Sequence, residues 1–428
     1  MNAAPSLPSH IKTIRRDGKV IFINPSLPRW IVTDDVGALV IELFTGNNSV
    51  DDIVNIAVEG LGESKRNQIK VFCEKVLASG LMDNIPWKQE KHRMQLSSVH
   101  LSLSDACNLN CSYCYARERV EGKFSKLSFD EYKVIIDDIL TINPNVVFTL
   151  TGGEPLLNKD CFRIAAYIKE KGAQVYLLSN GTLFSEKNAP EIARLFDLVT
   201  ISIDGPNERV HSLTRGHNFD KVMAAVALLD KYNVDYTLSM TVTQKNISYI
   251  EETARLFGNR LNFAPYFPVS GEPSKLAITG EMYFNALKSA AGVRPLSYCE
   301  SSLDASKVSQ CHKCAIGDGE FSISATGDVY PCQLLHVDEF YAGNTHELSI
   351  VDIYYHAKTI DYCSHLDVDT IKGCSDCAFK YICGGGCRAR AYYECGDINS
   401  SSDFCIYEQE AFIDGILALY STNGVSVN

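Results

Sequence analysis

Between Ser97 and about residue 267 the chain repeats one pattern, a short apolar run followed by a stretch with helical periodicity. The runs are VHLSLS, NVVFTL, QVYLLS, LVTISI, DYTLSMTV and RLNFAPYF. Strands joined through helices run parallel, because a helical crossover returns the chain to the end of the sheet from which it left. Six such units are too few to close an eight-stranded barrel, so the pattern predicts an α/β core built as a partial barrel. Chemistry in such cores sits at the C-terminal strand ends, and the loops there are the first place to look for it.

Those loops carry cysteines and glycines. CNLNCSYC follows the first strand and places Cys107, Cys111 and Cys114 at C-x3-C-x2-C spacing, while Thr151-Gly152-Gly153-Glu154-Pro155 follows the second. The chain holds 16 cysteines but no N-terminal apolar core of signal-peptide length. A reducing compartment keeps such thiols free, so their clustering points to metal rather than to disulfides. Three soft thiolates on one short loop suit an iron-sulfur cluster and leave one iron open, the mark of a reactive site. Three reduced cysteines, or a zinc site completed by a remote histidine, are the alternatives.

The rest of the chain divides around this core. In residues 1–92, IKTIRRDGKVIFIN reads as a hairpin about Asp17-Gly18, and three helical patterns follow: DVGALVIELF, SVDDIVNIAVEGL with Ser49 as N-cap, and SKRNQIKVFCEKVLASGLM. Hairpin then helices predicts a winged-helix-like domain. NIPWKQEKHRMQ reads as a linker to the core at 93–290. In 291–428 periodicity fades, cysteines become dense and turns such as Gly384-Gly385-Gly386 appear, so metal is expected to supply stability that a poor core cannot. The net charge of -12, with scattered basic residues, weighs against a nucleic-acid partner. No apolar run is long enough to span a bilayer, and a cytoplasmic location is expected.

C-x3-C-x2-C with an aromatic residue, Tyr113, before the third cysteine resembles the radical S-adenosylmethionine (SAM) superfamily. The resemblance implies a partial (β/α)6 TIM barrel in which Cys107, Cys111 and Cys114 hold a 4Fe-4S cluster whose open iron is chelated by SAM. Reductive SAM cleavage would then give a 5'-deoxyadenosyl radical that abstracts a substrate hydrogen, with a flavodoxin- or ferredoxin-type protein as electron donor. The GGEP residues Gly152, Gly153 and Glu154 match the superfamily's turn near the methionine amino group. Ser179 and Asn180 after the third strand, and Ser202 and Asp204 after the fourth, match positions that meet ribose and methionine carboxylate. Arg215 resembles the arginine that pairs with that carboxylate, a role suited to a guanidinium fork.

Cys314-x12-Gly327-x4-Cys332, followed by Cys374-x2-Cys377-x5-Cys383-x3-Cys387 and Cys405, resembles the SPASM extension, which carries two auxiliary 4Fe-4S clusters. Three clusters in all are therefore expected. By family pattern the first auxiliary cluster takes Cys314, Cys332, Cys387 and one upstream thiol, Cys311 or, failing it, Cys299. The second takes Cys374, Cys377, Cys383 and Cys405, with Cys395 a possible substitute for Cys405. CSDC and CGGGC taken alone also suit a zinc ribbon. Cys73 and Cys161 lie in helical patterns and are expected to serve packing.

The first domain resembles the recognition element of enzymes that mature ribosomally made peptides, where a precursor's leader adds as a strand to the hairpin edge. Here that implicates the hairpin from Ile11 to Asn24 and the helix of Ile69 and Phe72. A precursor peptide is thus the expected partner, and a thioether, carbon-carbon or carbon-oxygen cross-link the expected product. The rival within the family is formylglycine formation in sulfatases, where an aspartate acting as base follows the equivalent of Cys332. Here that residue is Gln333, which takes no proton near neutral pH. Radical chemistry on a non-peptide substrate is the remaining alternative.

Overall fold

The computed structural model describes residues 4–83, 93–115, 125–269, 274–290 and 311–423. Most of the expected linker, and Cys299, lie outside the described residues.

The chain opens with three antiparallel strands in the order β1 (Lys12–Arg16), β2 (Lys19–Asn24) and β3 (Arg29–Thr33). Asp17 and Gly18 both take positive φ, 52° and 69°, as a two-residue hairpin turn requires. The sequence reading missed β3, because RWIVT is five residues long and buried on both faces after Arg29, with no alternation to betray it. Helices α1 (Asp35–Glu42), α2 (Val50–Leu61) and α3 (Arg66–Ala78) follow. A capping box starts α2: the Ser49 hydroxyl accepts from the Asp52 N–H at 3.2 Å, and the Asp52 carboxylate accepts from the Ser49 N–H at 2.9 Å.

Both faces of this small sheet are covered. Val20, Phe22 and Ile31 pack on the three helices, through Ile53, Ile69 and Cys73 among others. Ile21, Ile23, Trp30 and Val32 pack instead on Phe379 and Ile382 and on Phe412, Ile413 and Ile416 from the far end of the chain. Arg16 adds ion pairs to Glu410 and Asp414.

Six parallel strands form the core, β4 (Ser98–Ser104), β5 (Val147–Gly152), β6 (Gln174–Ser179), β7 (Leu198–Ser202), β8 (Tyr236–Val242) and β9 (Leu261–Pro265), paired in sequence order. Between them lie α4 (Phe129–Ile142), α5 (Cys161–Glu170), α6 (Ala189–Leu195), α7 (Glu208–Arg215), α8 (Phe219–Lys231) and α9 (Ile250–Phe257), and α10 (Gly280–Ala290) follows. Alternate residues such as Val99, Leu101, Phe148, Leu150, Val175, Leu177, Val199 and Ile201 are buried in one continuous core. Small polar residues hold several of the intervening positions, among them Ser102, Thr149, Thr200 and Thr237, and the Thr200 and Thr237 hydroxyls meet at 3.1 Å across β7 and β8. Cys73 and Cys161 are buried in apolar clusters, and burial pushes both thiols up, Cys73 to about 11.

The C-terminal part is less irregular than its sequence implies. β10 (Glu320–Ile323) runs parallel to β4, and β11 (Asp328–Tyr330) and β12 (Gly343–Asn344) continue antiparallel, extending the sheet to nine strands. These strands have four, three and two residues, too few for a period to register. Helices α11 (Ile350–His356), α12 (Lys358–Ser364), α13 (Lys380–Cys383), α14 (Arg388–Cys395) and α15 (Cys405–Asn423) complete the chain. The result is an α/β fold with a mainly parallel central sheet. Among the described residues no helix is long and apolar enough to cross a membrane.

Candidate active site and metal centres

The loop from Cys107 to Cys114 leaves the end of β4 and is tied down from three sides. The first tie is the double glycine at the end of β5. Gly153 N–H donates to Ser104 O at 2.6 Å and Glu154 N–H to Ala106 O at 2.9 Å. A Cβ on Gly152 would lie 2.4 Å from Ser104 O, and one on Gly153 2.4 Å from Ala106 O. The glycines thus let two backbones touch where the chain enters the cysteine loop. Gly153→Ala is expected to cost about 1–3 kcal/mol, read as a lower denaturation midpoint; an unchanged midpoint would mean the contact relaxes freely.

The second tie comes from β6. Glu154 is fully buried, and its carboxylate accepts from the Ser179 hydroxyl at 2.8 Å, the Asn180 N–H at 2.9 Å and the Leu156 N–H at 3.3 Å. Burial pushes the carboxyl up, and these donors pull it back. Asn180 then reaches the loop, its Nδ2 donating to Asn108 Oδ1 at 2.9 Å and lying 3.7 Å from Cys107 Sγ.

The third tie is an ionic knot around Asp204, which has no exposed surface. Its Oδ2 accepts from the Tyr113 hydroxyl at 2.5 Å and the Thr214 hydroxyl at 2.7 Å, and Oδ1 accepts from the Thr241 N–H at 3.1 Å. Arg215 Nε lies 3.1 Å from Asp204 Oδ2 off the hydrogen-bonding line, so this pairing is ionic. Arg215 Nη1 lies 3.8 Å from Cys111 Sγ, and the guanidinium stands over the Tyr113 ring at 5.4 Å. Burial opposes Arg215's charge, but Asp204 beside it outweighs burial. Burial pushes the Cys111 thiol up, and Arg215 draws it down. Ser202 ends β7 on the same rim, half-buried. Asn108, Thr214 and Thr241 went unnoticed in the sequence, where no spacing marks them.

Further along, Cys374, Cys377, Cys383 and Cys405 line a single cavity with Phe379, Phe412 and Glu408. The Phe379 N–H and the Gln409 amide each reach within 3.4 Å of a sulfur, of Cys377 and Cys405 respectively. Burial and then Cys405 push Cys374 up to about 11. Cys395 is exposed, with its sulfur 3.4 Å from Ser401 O, and is not among that cavity's lining residues.

Cys314, Cys332 and Cys387 gather against a second cluster of apolar residues. Burial, then Glu320 and Cys387, push Cys314 up to about 12, and Cys332 rises for the same reasons. The Cys311 sulfur lies 3.6 Å from Lys313 O, and a Cβ on Gly384 would come within 2.3 Å of it. Buried Cys363, which the spacing gave no reason to choose, lies in the same apolar cluster, and burial and then Cys314 push its thiol up to about 12. Among the described residues no three or more His, Cys, Asp or Glu are gathered so as to hold a single metal ion. Cys374, Cys377, Cys383 and Cys405 surround a space rather than a point, and a four-sulfur donor set around a space fits an iron-sulfur cluster.

Comparison with known proteins matches residues 101–257 to the Radical SAM superfamily and residues 306–378 to SPASM, an iron-sulfur cluster-binding domain. The AdoMet-dependent heme synthase of Methanosarcina barkeri is 29% identical over 340 residues, covering 71% of this chain and 95% of that protein. The cysteine-type anaerobic sulfatase-maturating enzyme of Clostridium perfringens is 24% identical over 334 residues, covering 68% and 89%. The crystal structure of Streptococcus suis SuiB bound to precursor peptide SuiA shares the fold over 94% of this chain and 99% of that one, at a TM-score of 0.56 and 13% identity.

Proposed function

Because the chain is a radical SAM enzyme with a SPASM domain, which implies a SAM-binding 4Fe-4S cluster and auxiliary clusters, we propose that it is a maturase that cross-links side chains in a ribosomally made precursor peptide. The observation that carries this reading is the N-terminal module. The heme synthase match takes in nearly all of that protein yet leaves more than a quarter of this chain without a counterpart. SuiB, solved with a precursor peptide, resembles this chain over nearly its full length. Strand β1 is an edge strand with Lys12, Thr13 and Arg15 exposed, so an extended peptide could pair along it. The reading divides the chain at 1–92, 93–290 and 291–428.

In this proposal Cys107, Cys111 and Cys114 hold the SAM-binding cluster. Bound there, cluster and SAM supply a 5'-deoxyadenosyl radical able to take a hydrogen atom from carbon. The protein's part is to hold the loop. Glu154 brackets the ends of β5 and β6, and Asp204 fixes Arg215 so that its Nη1 faces the loop rather than solvent. Aromatic pairs, Tyr113 with Tyr266 and Phe267 with Tyr393, bring rings at the strand ends together with the cysteine loop and the C-terminal part, and help keep water out. The auxiliary clusters fall to Cys374, Cys377, Cys383 and Cys405, and to Cys314, Cys332, Cys387 and Cys311. A flavodoxin- or ferredoxin-type donor in the cytoplasm would supply the electron.

Two relatives favour other substrates, an iron porphyrin by the heme synthase and a sulfatase cysteine by the maturase. Gln333 weighs against the second, since its buried amide oxygen cannot act as a base. Anaerobic co-expression with a candidate precursor, followed by mass spectrometry, tests the proposal. A peptide lighter by two hydrogens per link, located by fragmentation, is the expected product. An unchanged peptide together with turnover of an iron porphyrin would overturn it.

A further inference from the structure

Arg388 directly follows Cys387 and is only 1% exposed, an unusual place for a charge. Its hydrogen bonds all go to backbone carbonyls. Nη1 donates to Ile398 O at 2.9 Å and Ser400 O at 2.8 Å, Nη2 donates to Gly385 O, and Nε donates to Gly386 O at 3.4 Å. The two glycine carbonyls are presented by the run Gly384-Gly385-Gly386, whose φ angles of 68°, 87° and 69° no other residue type adopts readily in succession. That run joins Cys383 of one thiol set to Cys387 of the other, and the segment of Ile398 and Ser400 leads to Cys405. The guanidinium is therefore the pin through the two loops on which both sets hang.

The charge stands against both sets: Cys387 of one is its chain neighbour, and Gly385, whose carbonyl accepts from Nη2, lines the cavity of the other. Carbonyl dipoles solvate that charge without cancelling it. Among the described residues no carboxylate forms an ion pair with Arg388, and Asp397 on the neighbouring segment is paired with Lys372 at 2.7 Å.

We propose that Arg388 is the shared electrostatic control of the two auxiliary clusters, a fixed buried cation between their ligand loops that raises the reduction potential of both. A cluster becomes more negative on accepting an electron, so a nearby fixed positive charge favours the reduced form. Any net removal of two hydrogens from a substrate, one as an atom and one as a proton, leaves one electron to be accepted. Clusters made easier to reduce are better placed to take it, whichever substrate the enzyme uses. The inference rests on the assignment of Cys374 and Cys387 as ligands, which loss of iron from Cys374→Ala and from Cys387→Ala tests separately.

The test is a redox titration of the anaerobically loaded enzyme followed by electron paramagnetic resonance, with the SAM-binding cluster identified by its spectral change on adding SAM. Arg388→Gln is expected to lower both auxiliary midpoint potentials and leave that of the SAM-binding cluster in place. Arg388→Lys, which keeps the charge, is expected to stay close to wild type. Unshifted auxiliary potentials in Arg388→Gln, or an equal fall in Arg388→Lys, would overturn the proposal. Should Arg388→Gln lose iron, Arg388→Lys decides alone: wild-type potentials support the charge, and lowered ones refute it.

Discussion

Alanine at Cys111 is expected to reduce SAM cleavage to the uncatalysed background, measured as 5'-deoxyadenosine formed anaerobically with dithionite. Three thiolates are the minimum that holds a cubane while leaving one iron for SAM, so no neighbour can compensate. About one third of the iron should be lost with it, four of roughly twelve per chain if all three clusters are present. The fold should not follow, because alanine fills most of the space of a side chain already 9% exposed. Circular dichroism should be unchanged, and the iron of the auxiliary clusters retained. Retained SAM cleavage would refute the assignment of the loop.

The second large effect belongs to Asp204. Asn at this position keeps the shape but removes the charge that balances Arg215, whose side chain is 10% exposed. Leaving a buried cation uncompensated costs about 3–5 kcal/mol, so chemical denaturation should shift by that much and SAM cleavage should fall steeply. A double variant separates the two consequences. Asp204→Asn with Arg215→Met removes the stranded charge and should recover most of the stability while leaving SAM cleavage impaired. Recovery of cleavage as well would mean the pair only supports the fold.

Much of this arrangement is legible in the sequence. QVYLLS reads as a strand and β6 has those bounds, because its apolar residues alternate against one continuous core. β3 and β10 to β12 were not legible, being too short or too evenly buried to show a period. At the site, spacing located the cysteines but could not say which thiols share a space. For the first auxiliary set it offered Cys311 or, failing it, Cys299, and it gave no reason to consider Cys363, whose buried thiol Cys314 also pushes up. Motif matches likewise gave Glu154 and Asp204 their places after successive strands. They gave no hint that both carboxylates would be buried and spent on protein donors, since hydrogen-bond partners come from loops remote in sequence.

The second covered face of the N-terminal sheet has a consequence for how the protein is made. Ile21, Ile23, Trp30 and Val32 leave the ribosome early, but Phe412, Ile413 and Ile416, which cover them, are added roughly 380 residues later, on the order of 20–80 s at ordinary synthesis rates. Through most of that interval a tryptophan and three branched aliphatic side chains lack the greater part of their cover, since Phe379 and Ile382 also come late. The helix that shelters them begins at Cys405, which lines the space of four thiols, so covering this apolar face waits on iron delivery as well as on translation. Cells short of iron-sulfur assembly capacity should therefore accumulate this protein as aggregate rather than as a soluble apoenzyme.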